Sequence, residues 1–320
     1  MEIDARGSEK SLSFCYLKID NIFCVSRLTR EGSGAFLVRA MTDAMDDCDT
    51  EEEREEVKRN QIFGIEYEDG AFGLSSTNML IHGDGNSNVI QASMFERGEW
   101  IKDKNINIVL MNPPYNATRK FCDPEYVKTW GSSKKEDPSK GFHFVEYVAR
   151  HIPANSKIAV LLPMQAAIGN SGDVKKFKKK MLDNYTLEAV FSLPNEMFYP
   201  GAAAIACCMI FDLSQKHERS AKETFFGYFK DDKFIKRKGL GRVEKTDNDG
   251  NSLWVSTKDE WLDLYKNKKE VPGLSVMKKV TWKDEWLAEA YIETDYSLLD
   301  ESDFENTLRE YYAYIIRTGR

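Results

Sequence analysis

The stretch NIVLMNPPYNATRK, residues 107–120, decides how this chain is read. The apolar run over 105–111 predicts a strand, and it leads straight into Asn112-Pro113-Pro114-Tyr115. Two consecutive prolines remove two backbone donors and fix φ, so the strand has to stop there. An amide side chain is thereby held at a strand end, with an aromatic ring three residues on. The Asn112 side-chain oxygen and the Pro113 carbonyl are two neighbouring acceptors, able to hold the two hydrogens of an exocyclic amine, and Tyr115 offers a face for a flat ring. An amine on an aromatic ring is a poor nucleophile because its lone pair is delocalised. Two acceptors support the positive charge that develops as it attacks, which is electrostatic stabilisation of a transition state rather than general-base catalysis.

Working outward, short apolar strands alternate with helical patterns. The sequence predicts a helix over 33–45, a strand over 61–66 ending in an acid, a helix over 68–81 and a short strand over 88–92. After residue 120 come a helix over 142–152, a buried strand over 157–163, a basic helix over 173–182, and strands within 186–194 and 203–213. This βαβα rhythm with apolar strands predicts an α/β fold, a doubly wound and mostly parallel sheet covered by helices on both faces. Beyond residue 213 the texture changes. The segment FFGYFKDDKFIKRKGLGRV, 225–243, reads as a hairpin of an aromatic strand, an Asp-Asp-Lys turn and a basic strand, with the GLGRV at its end a turn. The last helix, SDFENTLREYYAYII, begins with a capping-box pattern of Ser302 and Glu305, and Phe304, Leu308, Tyr311 or Tyr312, and Ile315 mark one apolar face.

Composition bounds the function classes. At 320 residues with 42% apolar and 30% charged residues, the chain reads as a soluble globular protein, without a membrane-length apolar run or a secretory signal. Its six cysteines show no CxxC pair, so a reduced, cytoplasmic chain without structural zinc is expected; Cys207-Cys208 reads as core. The four histidines have no ligand-like spacing, so no metal is expected. A net charge of −7 argues against coating nucleic acid by charge alone, although the signs are segregated. The acidic run 43–56 and the basic runs 175–180 and 230–245 read first as solvated faces.

Two further features accompany the Asn-Pro-Pro-Tyr motif. Gly32-Ser33-Gly34-Ala35-Phe36 is a glycine-rich turn opening a helix, where a ligand can approach backbone amides. Glu66 ends the next strand, where an acid in an open α/β sheet can accept hydrogen bonds from ribose hydroxyls. All three features are expected at the carboxyl ends of the strands, around one cleft.

GSGAFLVRAM, the GDGNSN loop, VLMNPPYN and SLPNEMFYPGAAAIACCMIF together resemble the modification (methyltransferase) subunit of type I restriction–modification systems, an N6-adenine DNA methyltransferase. The resemblance implies a Rossmann-like, S-adenosylmethionine-dependent methyltransferase core over 32–213, preceded by an atypical segment, 1–31, and followed by a smaller mixed extension, 214–320, facing a partner or DNA. It implies that Gly32, Ser33, Gly34 and Phe36 line the cofactor pocket, that Glu66 takes the ribose, and that Ser93 stands where an acid near the cofactor's adenine is common. It implies that Asn112, Pro113, Pro114 and Tyr115 hold a flipped adenine of double-stranded DNA. It also implies a specificity subunit and a restriction subunit as partners. The chain departs from the family in two places: Leu28-Thr29-Arg30-Glu31 stands where an Asp-Pro pair is usual, and few residues precede the glycine turn. These departures motivate a second reading, a truncated non-catalytic remnant. Enzymes that methylate glutamine in proteins share Asn-Pro-Pro-Tyr and give a third.

Overall fold

The computed structural model describes residues 22–26, 34–84, 88–169, 171–220, 223–293 and 300–318. Nine strands form one sheet: β1 Ile22–Ser26, β2 Ile62–Glu66, β3 Val89–Gln91, β4 Ile108–Asn112, β5 Lys157–Pro163, β6 Thr186–Ser192, β7 Ala206–Asp212, β8 Thr224–Tyr228 and, after two strands described below, Ser275–Lys278. The two strands between, β9 Phe234–Arg237 and β10 Gly241–Glu244, form a separate antiparallel pair, so Ser275–Lys278 is β11. The large sheet runs β11-β8-β6-β7-β5-β4-β1-β2-β3. β3, β2, β1, β4 and β5 are mutually parallel, as are β6 and β8, whereas β7 is antiparallel to both its neighbours and β11 to β8. This is the mainly parallel α/β architecture expected from the apolar runs.

Alternation along the strands divides the core between the two faces. Phe63, Ile65, Val109 and Met111 join one cluster with Ile101, Phe144 and Val148, whereas Ile62 and Ile108 join another with Leu37, Met41 and Met79. Helices Gly98–Asp103 and Phe142–Ala149 therefore cover one face, and Ala35–Asp46 and Asp69–Ile81 the other. A third cluster, with Phe191, Phe225, Leu264 and Tyr265, joins helix Leu253–Lys266 to the sheet. Cys207 and Cys208 pack in different clusters, as adjacent strand residues must. The Cys207 thiol is fully buried, and burial holds it well above the ordinary thiol range.

Several local expectations need correction. The aromatic segment after residue 223 does not pair with the basic strand. Phe225 and Phe226 are fully buried and lie in β8 between β6 and β11, while the basic strand β9 pairs with β10. Burial of two phenylalanines inside the sheet outweighs the local Asp-Asp-Lys turn, and the hairpin turn falls instead at Lys238-Gly239-Leu240, with Gly239 inside it and Gly241 after it both left-handed. The large sheet thus continues beyond residue 213. The capping box of helix Glu301–Thr318 lies at Asp300 and Asp303 rather than at Ser302 and Glu305: Asp300 accepts from Asp303 N at 3.1 Å and the Asp303 carboxylate accepts from Asp300 N at 3.1 Å. Asp competes with Ser at such a position because its carboxylate also favours the positive helix end. That helix buries no residue among those described. Finally, the run 175–180 is not wholly solvated. Lys178 is 2% exposed and donates to the carbonyls of Ala167 at 2.9 Å and Asp284 at 2.6 Å. Burial lowers its pKa to about 8.

Among the described residues, no helix is long and apolar enough to cross a membrane, and no group of His, Cys, Asp or Glu could hold a metal ion.

Candidate active site

β4 ends at Asn112 and Pro113 follows at once, as the two prolines require. β1 separates Asn112 from Glu66: Ser26 pairs with Asn112, and Val25 pairs with both Met111 and Ile65. Asn112 and Glu66 therefore end neighbouring parallel strands of β1 at one level, about 10 Å apart by strand spacing. Gln91 pairs with Glu66 across β2 and β3, which puts Ser93 at the same end of the sheet. Asn112, Glu66 and Ser93 thus share the carboxyl edge of the parallel strands.

Asn112 is 2% exposed, and among the described residues its amide Nδ2 is buried with no hydrogen-bond partner. A buried donor without a partner costs about 1–3 kcal/mol, so this amide is held there against its own solvation. It faces a cavity of about 760 Å³ lined by Asn112, Pro113, Pro114, Tyr115, Phe121 and Phe198 together with the strand end at Pro163-Met164 and the alanines 202–204. The Tyr115 ring meets Phe198 edge-on at 6.1 Å between centroids. Its hydroxyl is buried without a partner among the described residues, and burial raises its pKa far above the ordinary phenol value. A phenol so placed stays neutral; what it contributes to the cavity is a ring face.

One wall of the cavity is the turn over 137–141. Asp137 is fully buried, and its carboxylate accepts from the amides of Ser139 and Gly141 and from the hydroxyls of Ser139 and Tyr126, each at 2.8 Å. The Asp137 amide donates to the Ala117 carbonyl at 2.8 Å, which ties the turn to the segment after Tyr115. Gly141 is left-handed at φ 96, and a Cβ there would stand 2.7 Å from Leu162 Cδ2 and 3.4 Å from Pro113 Cγ, so the turn is pressed onto the cavity floor. Lys140 lines the cavity.

On the cofactor side, Gly32 and Ser33 lie outside the described residues. Gly34 is left-handed at φ 68 and precedes helix Ala35–Asp46; an added Cβ would lie 3.0 Å from both Cα and Cβ of Ser75. Close approach of two helices therefore already requires glycine at Gly34. Phe36 packs against the cluster on that face. Glu66 is 3% exposed, and its Oε1 accepts from the amides of Tyr67 at 2.8 Å and Glu68 at 3.0 Å, which fixes the carboxylate at the strand end. Ser93 is half-buried ahead of the turn Met94–Glu96. The cavity beside Asn112 is lined by Glu68, not by Glu66, Gly34, Phe36 or Ser93. The structure thus gathers Asn112, Pro113, Pro114 and Tyr115 in one cavity, and sets Glu66 and Ser93 along the same sheet edge. Sequence reading missed Phe198, Met164 and Lys140. The first lay inside a quoted segment without a role, and the turn that carries Lys140 has no signal beyond Ser-Lys-Gly.

A family model described as N-6 DNA methylase matches residues 30–298. The type II restriction enzyme and methyltransferase RM.BcgI of Heyndrickxia coagulans is 29% identical over 286 residues, which are 88% of this chain and 41% of that protein. The type I restriction enzyme HindI methylase subunit of Haemophilus influenzae is 26% identical over 189 residues, 53% of this chain and 39% of that subunit. The chain thus spans about two fifths of the length of these relatives. Among solved structures, a type I restriction-modification system methyltransferase subunit from Streptococcus thermophilus superposes with a TM-score of 0.57 at 20% identity, over 82% of this chain and 51% of that one. A chain from a structure of the assembly and conformational transition of the type I R-M system gives 0.61 at 17% identity, over 93% and 60%. At such identities these two support the fold.

Proposed function

The chain belongs to the N-6 DNA methylase family, and on that premise we propose that it transfers a methyl group from S-adenosylmethionine to adenine N6 in duplex DNA, as the modification component of a restriction–modification system. The observation that carries this reading is Asn112: a buried amide whose Nδ2 has no partner among the described residues, held by two prolines at a strand end and facing a cavity with an aromatic wall. A flipped adenine fits the cavity beside that amide. Its N6 hydrogens reach the Asn112 side-chain oxygen and the Pro113 carbonyl, and its ring lies against Tyr115, with Pro114 fixing the turn between them. The two acceptors draw the N6 lone pair out of conjugation and stabilise the charge that forms on nitrogen. N6 is paired inside a duplex, so the base has to leave the stack first.

The cofactor contributes an electrophilic methyl on a sulfonium. The described residues fit it at the sheet edge: Glu66, fixed by two backbone amides, accepts ribose hydroxyls, Ser93 stands beside the cofactor's adenine, and Phe36 backs the helix that follows Gly34. Exposed Lys236, Arg237 and Lys238 on the β9–β10 hairpin, which packs against Tyr199 through Lys236 at 4.2 Å, support contact with the DNA backbone next to the Phe198 wall. The names of the relatives, a methylase subunit and a type I R-M assembly, support other restriction–modification subunits as partners, and in this reading those are a specificity subunit and a restriction subunit. In this reading residues 32–213 carry the chemistry, and within 214–320 the part outside the sheet strands β8 and β11, above all the β9–β10 hairpin, faces DNA or a partner.

Labelled methyl transfer tests the reading. Label recovered as N6-methyladenine in duplex DNA is the expected result. Label in a protein fraction instead of DNA contradicts it in favour of a protein-glutamine methyltransferase. Calorimetry with no saturable cofactor binding contradicts it in favour of a non-catalytic remnant.

A further inference from the structure

Among the described residues, four non-glycine residues have positive φ: Asn105, Lys140, Lys233 and Lys268. A left-handed backbone costs a side-chain-bearing residue about 1–2 kcal/mol relative to glycine, so each lysine there raises the question of what retains it. Lys233 reaches Asp231 at 2.6 Å and Lys268 reaches Glu188 at 3.6 Å, so ion pairs occupy both ammonium groups. Lys140, at φ 56, has no carboxylate within 4.0 Å among the described residues. It is half-buried and lines the cavity beside Asn112, where Lys140 and Glu68 are the charged members of an otherwise neutral lining.

The turn that carries it is built for position. The Asp137 carboxylate gathers the amides of Ser139 and Gly141 from inside, and Gly141 rests on Pro113 and Leu162. Lys140 is thus fixed between the buried Asp137 and the cavity floor, on the β4–β5 side. The residues suited to the cofactor, Glu66 and Ser93, lie on the other side of β1, along β2 and β3. A cation on the β4–β5 side meets the end of the cavity that admits the base. The anion carried there by a flipped nucleotide is its own phosphate.

We propose that Lys140 binds the phosphate of the nucleotide whose base enters the cavity, an inference that rests on the DNA reading above. The left-handed backbone is what a turn pays nothing for with glycine, and the lysine is retained for its charge.

The test uses the full chain, a fluorescent duplex containing adenine opposite a mismatch, and the variants Lys140→Gly and Lys140→Arg. Glycine keeps the backbone and removes the charge; arginine keeps the charge. Lys140→Gly is expected to weaken duplex binding roughly tenfold or more and to lower the slope of log affinity against log salt by about 0.9, the signature of one lost phosphate contact. Lys140→Arg is expected to keep the wild-type slope. In Lys140→Gly, S-adenosylmethionine affinity by calorimetry stays at the wild-type value and the melting temperature is not lowered, because glycine relieves the left-handed strain. Wild-type duplex affinity and slope in Lys140→Gly would overturn the proposal, as would a loss of cofactor binding and melting temperature together, which marks a structural residue. A wild-type chain that binds no duplex even at low salt contradicts the DNA reading itself, and this inference with it.

Discussion

At the start of β5, Lys157 lies 2.6 Å from Glu188, whose other oxygen accepts from Tyr265 Oη at 2.8 Å, with Lys268 nearby at 3.6 Å. At the other end of the same strand, Pro163 borders a cavity in which the Asn112 amide and the Tyr115 hydroxyl are buried without partners among the described residues. Both ends bury polar atoms. At the first, every group named has a protein partner, and the arrangement is explained by stability alone. At the second, the protein withholds partners from groups it has taken out of water, which stability cannot explain. The difference separates a polar cluster that holds the sheet from one prepared for a ligand.

This contrast predicts opposite mutational signatures. Glu188→Ala leaves Lys157 inside a half-buried charge cluster, so it should lower unfolding free energy by about 3–5 kcal/mol in urea titrations while leaving turnover per folded molecule unchanged. The pH dependence follows the same group. Burial alone raises the Glu188 pKa, but hydrogen bonds from Lys157 and Tyr265 and the charges of Lys157 and Lys268 hold it below its ordinary 4.5. A depressed carboxylate contributes stability above its unfolded value and loses that contribution as pH falls through the folded one, so wild type should weaken below about pH 4.5 more steeply than Glu188→Gln. A large loss of turnover in Glu188→Ala at full folding would break the comparison.

At the other end, Tyr115→Ala should weaken productive binding of the base by roughly 1–3 kcal/mol, read as a raised KM for duplex DNA. Unchanged kinetics would remove the stacking role. His143 sharpens the comparison from between the two ends. It is 4% exposed, stacked between Tyr126 at 3.9 Å and Phe95 at 5.0 Å, and its Nε2 has no partner among the described residues. Burial first, then the charges of Arg150 and Lys180, lower its pKa to about 3. The unfolded chain therefore binds a proton that the folded chain refuses between pH 6.5 and about 3. Wild-type stability should fall with pH in that window by up to about 1.4 kcal/mol per unit, and His143→Phe should flatten the profile. An identical profile in that variant would contradict the assignment. The smallest effect is expected for Tyr115→Phe. Its hydroxyl has no partner to lose, so stability and turnover should both stay near wild type; a hundredfold loss of turnover would give the hydroxyl a role in proton transfer.

The fold was legible where burial is continuous. β2, β4, β5, β6 and β7 are apolar runs ended by an acid, a proline or a polar residue, and local sequence is enough to find them. What escaped depended on distant partners. The aromatic strand β8 looked like half of a hairpin because nothing near Phe225 announces that β6 and β11 will flank it. Lys178 sits in a basic run, and only the fold brings the Ala167 and Asp284 carbonyls to its ammonium. In the candidate site, Asn112 to Tyr115 were legible because two adjacent prolines after an apolar strand have few other uses. Lys140 was not, because its meaning comes from a backbone angle and a cavity that no spacing encodes.

The most direct measurement compares N6-methyladenine formation in duplex DNA by wild type and Asn112→Ala, with S-adenosylmethionine affinity and the urea midpoint recorded on the same samples. The Asn112 amide donates to no described group, so its removal should leave affinity and midpoint near wild type while turnover falls by about 10²–10³-fold, the usual loss when one preorganised transition-state contact is deleted. Undiminished methylation by Asn112→Ala would contradict the account.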